Sequence, residues 1–314
     1  MNYSFDRKRT IQENVRLIAR GQLRDALSFI DDPDLDAHAT VHEVRKAGKK
    51  VRALLRLVRL VAEDLYDREN AAIRDSARRI SELRDLTANL ESVDLLENRF
   101  ETAVDGEIFS QLRTALEARR AARSEDLDLE ARLTRVREDL ASTLDRSRSW
   151  VVPDDGFDAL AGGLRKTYGR ALRRMREAFD EPSSETWHEW RKRLKYHRYQ
   201  TVLLTDMWEA VLAEREEQIH ELTDLLGDDN DLSELREVLR KEPEWLDNED
   251  STVGLVALID RLRAELQERT RPLARRVLAE SADGLVARYR TYWDAWQAEP
   301  DDFAEADPVI EPGR

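Results

Sequence analysis

The chain has 314 residues, a formal net charge of −14 at pH 7 and no cysteine. A disulfide framework and a thiolate metal site are therefore excluded, and no stretch of the sequence approaches the ~18 apolar residues of a membrane span. The first residues lack the apolar core of a signal peptide, so we expect a soluble, cytoplasmic protein.

The composition predicts an all-α fold. Charged residues make up 38% of the chain, while glycine and proline are few, which is typical of long amphipathic helices. Alternation of polar and apolar residues with a period of two does not persist for more than a few residues, so no strand is expected.

Several long helices are predicted in the first half of the chain. Apolar residues at helical spacing predict a helix from about Phe5 to Ile30, which the DDPDLD loop ends. A second helix is expected to run to about Tyr66, and a third to begin near Asp67. Residues 95–122 and 127–144 are then expected to form two long helices or one bent helix.

The second half starts after the clearest break in the sequence, WVVPDDGF at residues 150–157. The helix after this break repeats the role of the first helix, and EPSSE is expected to cap the next one. Gly227 is expected to open a turn that Asp228 and Asp231 flank. Residues 252–297 are again expected to be helical, and the chain ends in an acidic stretch that is predicted to be disordered.

The segment TVHEVRKAGKKVRALLRLVR, residues 40–59, is strongly basic. It holds seven Lys or Arg and one acid, so its charge is about +6. On a helix its aliphatic residues gather on one side, and the opposite half carries an almost unbroken row of cations. This first cation row, with its histidine, consists of His42, Arg45, Lys46, Lys49, Arg52 and Arg56. Because like charges at this spacing repel one another, the row indicates an anionic ligand.

A second copy of this pattern follows 146 residues later, in WHEWRKRLKYHR. The same shift relates Arg24 to Arg170 and Asp85 to Asp231, without a gap. The second cation row consists of His188, Arg191, Lys192, Lys195 and Arg198. Two unrelated helices would not share this register, so the chain is predicted to be an internal duplication.

The duplication sets the predicted domain organisation. Residues 1–149 and 150–299 are expected to form one helical-bundle repeat each, followed by an acidic tail at residues 300–314. Each repeat is expected to be a four-helix bundle of antiparallel neighbours, and a pseudo-two-fold axis is expected to relate the two. This symmetry would let both cation rows face a common groove or pore. No particular oligomeric state is predicted.

The motifs HEVRKAGKKVRALLRL and WHEWRKRLKYHRY, each followed by an RD or LGxxxD element, resemble those of the CHAD domain, the α-helical histidine domain. The resemblance covers about Phe5 to Gln297 and is carried by the duplicated H-x-x-R-K-x-x-K-x-x-R pattern. It implies two helical bundles whose basic faces meet at the centre, and a protein that binds inorganic polyphosphate at polyphosphate granules. Asn230 stands where the first half has Arg84, and Tyr196 replaces Lys50, so the halves are not expected to bind equally.

The residues themselves favour the same ligand. Polyphosphate has regularly spaced charges and no base, so it calls for a row of donors, in which Arg supplies bidentate contacts and Lys a point charge. Asp85 and Asp231 are expected to orient a cation of the basic helix. The predicted secondary phosphate contacts, on the first helix of each half, are Arg20, Arg24, Lys166 and Arg170. Outside the two basic segments the charge is about −24, which would repel a stiff duplex but admit a narrow chain into a cleft.

Three functions compete at this point. Binding of polyphosphate without catalysis leads, and no cofactor and no catalytic residue are expected. A zinc site is not expected either, because HEVRK and HEWRK lack the second histidine of HExxH. A polyphosphatase or phosphotransferase would need paired carboxylates or a nucleophile near the rows. Binding of a nucleic-acid phosphate backbone is the alternative. A cation row can also be solvated or paired with acids on a neighbouring helix, and His42 and His188 can be packing histidines.

Overall fold

The structure is a computed structural model that describes residues 3–101, 106–126, 128–242, 245–246 and 249–300, without the side chains of residues 82–87, 123–126 and 249. The described residues form helices and no strand, which confirms the predicted all-α fold. Their α-helices are α1 (Ile11–Asp31), α2 (Ala37–Val58), α3 (Glu63–Arg78), α4 (Ser81–Phe100), α5 (Gly106–Asp126), α6 (Leu129–Arg146), α7 (Asp158–Asp180), α8 (Ser184–Leu203), α9 (Glu209–Lys241), α10 (Glu249–Val277) and α11 (Ala282–Gln297). None of these helices contains an apolar stretch that could cross a membrane. The side chain of Asp85, and the predicted acidic tail from residue 301 onwards, lie outside the described residues.

α1 begins at Ile11, later than the predicted start at Phe5. Thr10 caps the helix: its hydroxyl accepts a hydrogen bond from the Glu13 backbone N–H, while the Glu13 carboxylate accepts one from the Thr10 N–H. Phe5 is buried in the core, and its N–H donates to the backbone carbonyl of Leu203 at 2.9 Å. The segment before the cap is therefore anchored to the second half of the chain.

Other predicted boundaries are also wrong. Residues 252–297 are divided between α10 and α11 by the non-helical residues 278–281. The second helix ends at Val58 rather than near Tyr66, and α3 follows from Glu63. The predicted turn at Gly227 does not occur, because α9 continues through it. A Cβ atom at this position would lie 2.9 Å from Nη2 of Arg191, so the glycine lets a side chain of the neighbouring helix approach the α9 backbone.

The helix order is consistent with the predicted duplication. α7, α8 and α9 begin 146 or 147 residues after α1, α2 and α3, respectively. The single long helix α9 occupies the place that α3 and α4 occupy in the first half. The pseudo-two-fold axis and the division into four-helix bundles stay predictions.

Two clusters of buried apolar residues hold the helices together, and both draw on the two halves of the chain. The larger cluster joins α1, α2, α3 and α6 to α7, α8 and α11. The smaller cluster joins α4 and α5 to α9 and α10, which contribute to both clusters. The two sequence halves therefore share their cores, whose largest fully buried side chains include Trp150, Trp190 and Tyr168. The domain limits at residues 149 and 150 stay a prediction.

α2 and α7 cross with their backbones in direct contact. A Cβ atom built on Gly163 would lie 1.9 Å from the carbonyl oxygen of Leu57 and 2.4 Å from that of Arg56. Glycine is required here because no side chain fits between the two backbones. The contact fixes the last turn of α2, with its cations, against the second half of the chain.

Candidate functional site

The two basic helices, α2 and α8, pack directly against each other. The buried amide of Gln200 donates from Nε2 to the backbone carbonyl of Ala53 at 3.3 Å. The ring of Tyr196 in α8 faces two guanidinium groups of α2, with its centroid 3.8 Å from Cζ of Arg56 and 5.8 Å from Cζ of Arg52. The two cation rows therefore lie on adjacent helices.

Three arginines of the first cation row hydrogen-bond to neutral groups. Arg45 donates from Nη1 to the backbone carbonyl of Ala77 at 3.1 Å, and Arg52 donates from Nε to Oδ1 of Asn70 at 3.1 Å. Arg56, which is only 7% exposed, donates from Nη1 to the backbone carbonyl of Arg52 at 2.7 Å. These contacts orient the guanidinium groups.

The second cation row faces carboxylates of α9. Nη1 of Arg191 lies 3.6 Å from a carboxylate oxygen of Asp231, and Nε of Arg198 donates to Glu216 at 2.5 Å. The second row is thus partly neutralised by its neighbouring helix. Unequal binding by the two halves stays a prediction.

The glutamate of each motif pairs with a lysine on its own helix. Nζ of Lys46 lies 3.3 Å from Glu43, and Nζ of Lys192 lies 2.5 Å from Glu189. Both lysines are exposed, and exposed pairs of this kind contribute only about 0–1 kcal/mol. A polyanion can therefore compete for both ammonium groups.

Lys195 of α8 is influenced by charges of both basic helices. Burial, together with the positive charges of Arg191 and Lys49, lowers the pKa of the Lys195 ammonium group to about 7, although Asp231 and Asp224 act in the opposite direction. Because Lys49 belongs to α2, cations of both rows act on the Lys195 ammonium group. The positive potential at this point favours an anion.

The two motif histidines have different surroundings. The His42 side chain is 54% exposed, and its Nε2 lies 3.8 Å from Glu43. His188 is half-buried, and its Nδ1 is hydrogen-bonded to Oδ1 of Asn230. Burial lowers the pKa of His188, and the hydrogen bond to Asn230 partly offsets this effect. The residue that breaks the repeat at position 230 therefore orients the second histidine.

The predicted orienting acid Asp231 belongs to a longer acidic row, which the sequence interpretation missed. Asp224, Asp228 and Asp231 follow one another at helical spacing on α9. Burial, followed by the charges of the other two acids, raises the pKa of Asp228 to about 6. The turn predicted at Gly227 concealed the row, because only a continuous helix brings the three carboxylates to one face. In the described part of the chain, no group of three or more His, Asp and Glu side chains could hold a metal ion, and this row is no exception.

The predicted secondary phosphate contacts are spread over different places. Arg20 points to the C-terminal end of α6, where its Nη1 donates to the backbone carbonyl of Leu144 at 3.3 Å. Such a contact satisfies a terminal carbonyl group of a helix and accounts for Arg20 structurally. Arg170 lies elsewhere, beside the C-terminal end of α2. The exposed members of the set are Arg24 and Lys166. Their role as phosphate contacts stays a prediction.

A family model matches the chain over both basic helices. The family is the CHAD domain, and the match covers residues 18–240, more than half of the chain. This span is shorter than the one expected from the motifs, which extended to about Gln297. No curated protein matches the chain.

Proposed function

Because the chain belongs to the CHAD domain family, we propose that it binds inorganic polyphosphate without reacting with it, through the cation rows of α2 and α8. The juxtaposition of the two rows carries this proposal, with Lys195 half-buried near Arg191 and Lys49. Positive charges held this close repel one another, so an anion bound along them would relieve the repulsion.

The spacing of the rows suits a chain of phosphates. Residues three, four and seven positions apart on a helix place successive side chains about 5–6 Å apart. The hydrogen bond of Arg52 to Asn70 occupies one nitrogen, and a guanidinium group has five N–H donors. Its remaining donors can contact phosphate oxygens while the existing bond holds the side chain in place.

We expect binding without catalysis. Phosphoryl transfer needs a nucleophile or base in line with the transferred group. Two acids beside the second row are engaged with cations, Asp231 with Arg191 and Glu216 with Arg198. A protein that holds polyphosphate in this way would accumulate at polyphosphate granules, which is the location we propose.

Binding of long polyphosphate, but not of duplex DNA, is the first expected result. The acidic row beside the second cation row and the net charge of −14 disfavour a wide duplex, whereas a single phosphate chain can follow the helix pair. Titrations with both ligands at equal phosphate concentration and about 150 mM salt make the comparison. Equal affinity for the two would favour the nucleic-acid function instead.

Long chains should bind more tightly than short ones. A chain that contacts both rows gains from the high effective concentration of its second contact. Polyphosphate of about a hundred phosphates should therefore bind at least about 100-fold more tightly than triphosphate, compared per chain. If triphosphate bound equally well, the two rows would not act on one ligand.

Binding should take up protons near neutral pH. With a pKa of about 7, Lys195 is largely neutral in the unliganded protein at about pH 8 and largely charged at about pH 6. A polyanion favours the charged form and raises the pKa, so affinity is expected to be higher at the lower pH. Protonation of Asp228, whose pKa is about 6, acts in the same direction because it weakens the acidic row.

Calorimetry in buffers with different ionisation enthalpies measures this proton uptake. Lys195→Met should remove most of the uptake at about pH 8 and flatten the pH dependence. Uptake that persists unchanged in Lys195→Met would assign the titration to another group, for which His188→Ala is the next variant.

A further inference from the structure

A separate basic cluster lies at the C-terminal end of α2, where this helix meets α7. Arg59 is only 4% exposed, and within the described protein its Nε and Nη2 have no hydrogen-bond partner. After burial, the strongest influence on Arg59 is the positive charge of Arg170 on α7; Arg56 acts in the same direction and Tyr66 in the opposite one. The site therefore combines a buried guanidinium group, two unsatisfied donors and like charges.

Structural roles account for part of this cluster. Cations are favoured at the C-terminal end of a helix, and Arg56 is satisfied there by its hydrogen bond to the Arg52 carbonyl and by the Tyr196 ring. Tyr66 lies close enough to Arg59 to favour its charged form. Two donors of Arg59 remain, and buried charged donors are seldom left without an acceptor in folded proteins.

The identity of the two unsatisfied atoms points to the ligand. Nε and Nη2 form the side edge of a guanidinium group, from which two parallel N–H bonds reach the two oxygens of one oxyanion. Arg170, half-buried on α7, adds a second cation from the facing helix. The next residue of the chain, Leu60, is 56% exposed, so the cluster lies close to the protein surface.

We propose that Arg59 and Arg170, the second of which is also a predicted secondary phosphate contact, hold a single phosphoryl group just beyond the end of the first cation row. The group is either free orthophosphate or the terminal phosphate of a polyphosphate chain. The second source rests on the proposed function, whereas the first does not. Bidentate binding to Arg59 would satisfy both of its free donors and neutralise its repulsion with Arg170.

Orthophosphate titrations of the full chain test the site. The melting temperature of the wild-type protein should rise with orthophosphate and reach saturation, relative to chloride at equal ionic strength. Arg59→Met should raise the half-saturation concentration of orthophosphate by at least about tenfold. In phosphate-free buffer this variant should melt no lower than wild type, because the substitution removes a buried cation that has no counter-ion. The matched control is Arg148→Met, which removes an exposed arginine whose side chain is 72% exposed.

The outcomes separate the two sources. If the saturable rise in melting temperature survives in Arg59→Met, Arg59 does not hold the phosphate and the proposal is wrong. Arg170→Met serves the same test if Arg59→Met does not fold. Without a saturable rise in wild type, short chains with free ends are compared with chains whose ends are blocked by esters. A preference for free ends that Arg59→Met abolishes supports the terminal phosphate, and no preference overturns the proposal. Failure of the wild type to bind long polyphosphate would contradict the proposed function but leave the orthophosphate result intact.

Discussion

Replacing Lys49 with glutamate is expected to weaken the binding of long polyphosphate by about 100-fold, or about 2.7 kcal/mol. The new carboxylate would replace a positive charge that acts on Lys195, and so weaken the positive potential of the two rows. Calorimetric titration at about 150 mM salt measures the loss. The melting temperature should change little or rise, because the repulsion between the two lysines is relieved.

Lys241→Glu is the matched control for this variant. It changes the net charge by the same amount at an exposed residue at the end of α9, so its affinity should stay within about twofold of wild type. Charge reversal at Lys195 is less informative, because it would add a carboxylate beside Asp224 and Asp231. A Lys49→Glu protein that folds and binds as tightly as wild type would place the site elsewhere. One that unfolds would show that the row belongs to a structural network.

The sequence was sufficient to identify the two basic helices and where they begin, but not where α2 ends. Their cations recur at helical spacing, and capping residues stand before both: the Asp36 carboxylate accepts hydrogen bonds at the start of α2, and the Ser183 hydroxyl accepts one at the start of α8. These signals are local, so they can be recognised without knowledge of the packing. The repeat could also be recognised from the sequence, because it is defined by identical residues at a constant offset of 146 positions.

Packing between helices could not be derived in this way. Gly227 was interpreted as the start of a turn because Gly and Asp cluster there, whereas its role is to make room for Arg191. The burial of Arg59 depends on α7, and nothing in its own helix distinguishes it from an exposed arginine at a helix end. The sharing of both apolar cores by the two halves is likewise a long-range property, about which a repeat gives no information.

Gly163→Ala is expected to destabilise the fold by about 3 kcal/mol or more. The added methyl group would lie 1.9 Å from the carbonyl oxygen of Leu57 and 2.4 Å from that of Arg56. Both atoms belong to the backbone of a packed helix, so relief requires α2 and α7 to move apart rather than one side chain to rotate. Chemical denaturation of wild type and variant measures the difference in the free energy of unfolding.

Gly254→Ala is the matched control for this helix crossing. A Cβ atom at this exposed position of α10 meets nothing within 4 Å, so the same substitution should stabilise the protein by about 0.5–1 kcal/mol through helix propensity. If the two variants were equally stable, the α2 and α7 backbones could not be in direct contact at Gly163. The added methyl group would displace the turn of α2 that carries Arg56. A Gly163→Ala protein that still folds should therefore also bind polyphosphate less tightly. The Lys49→Glu variant should lose binding without losing stability, so the two substitutions separate the role of the helix crossing from that of the cation rows.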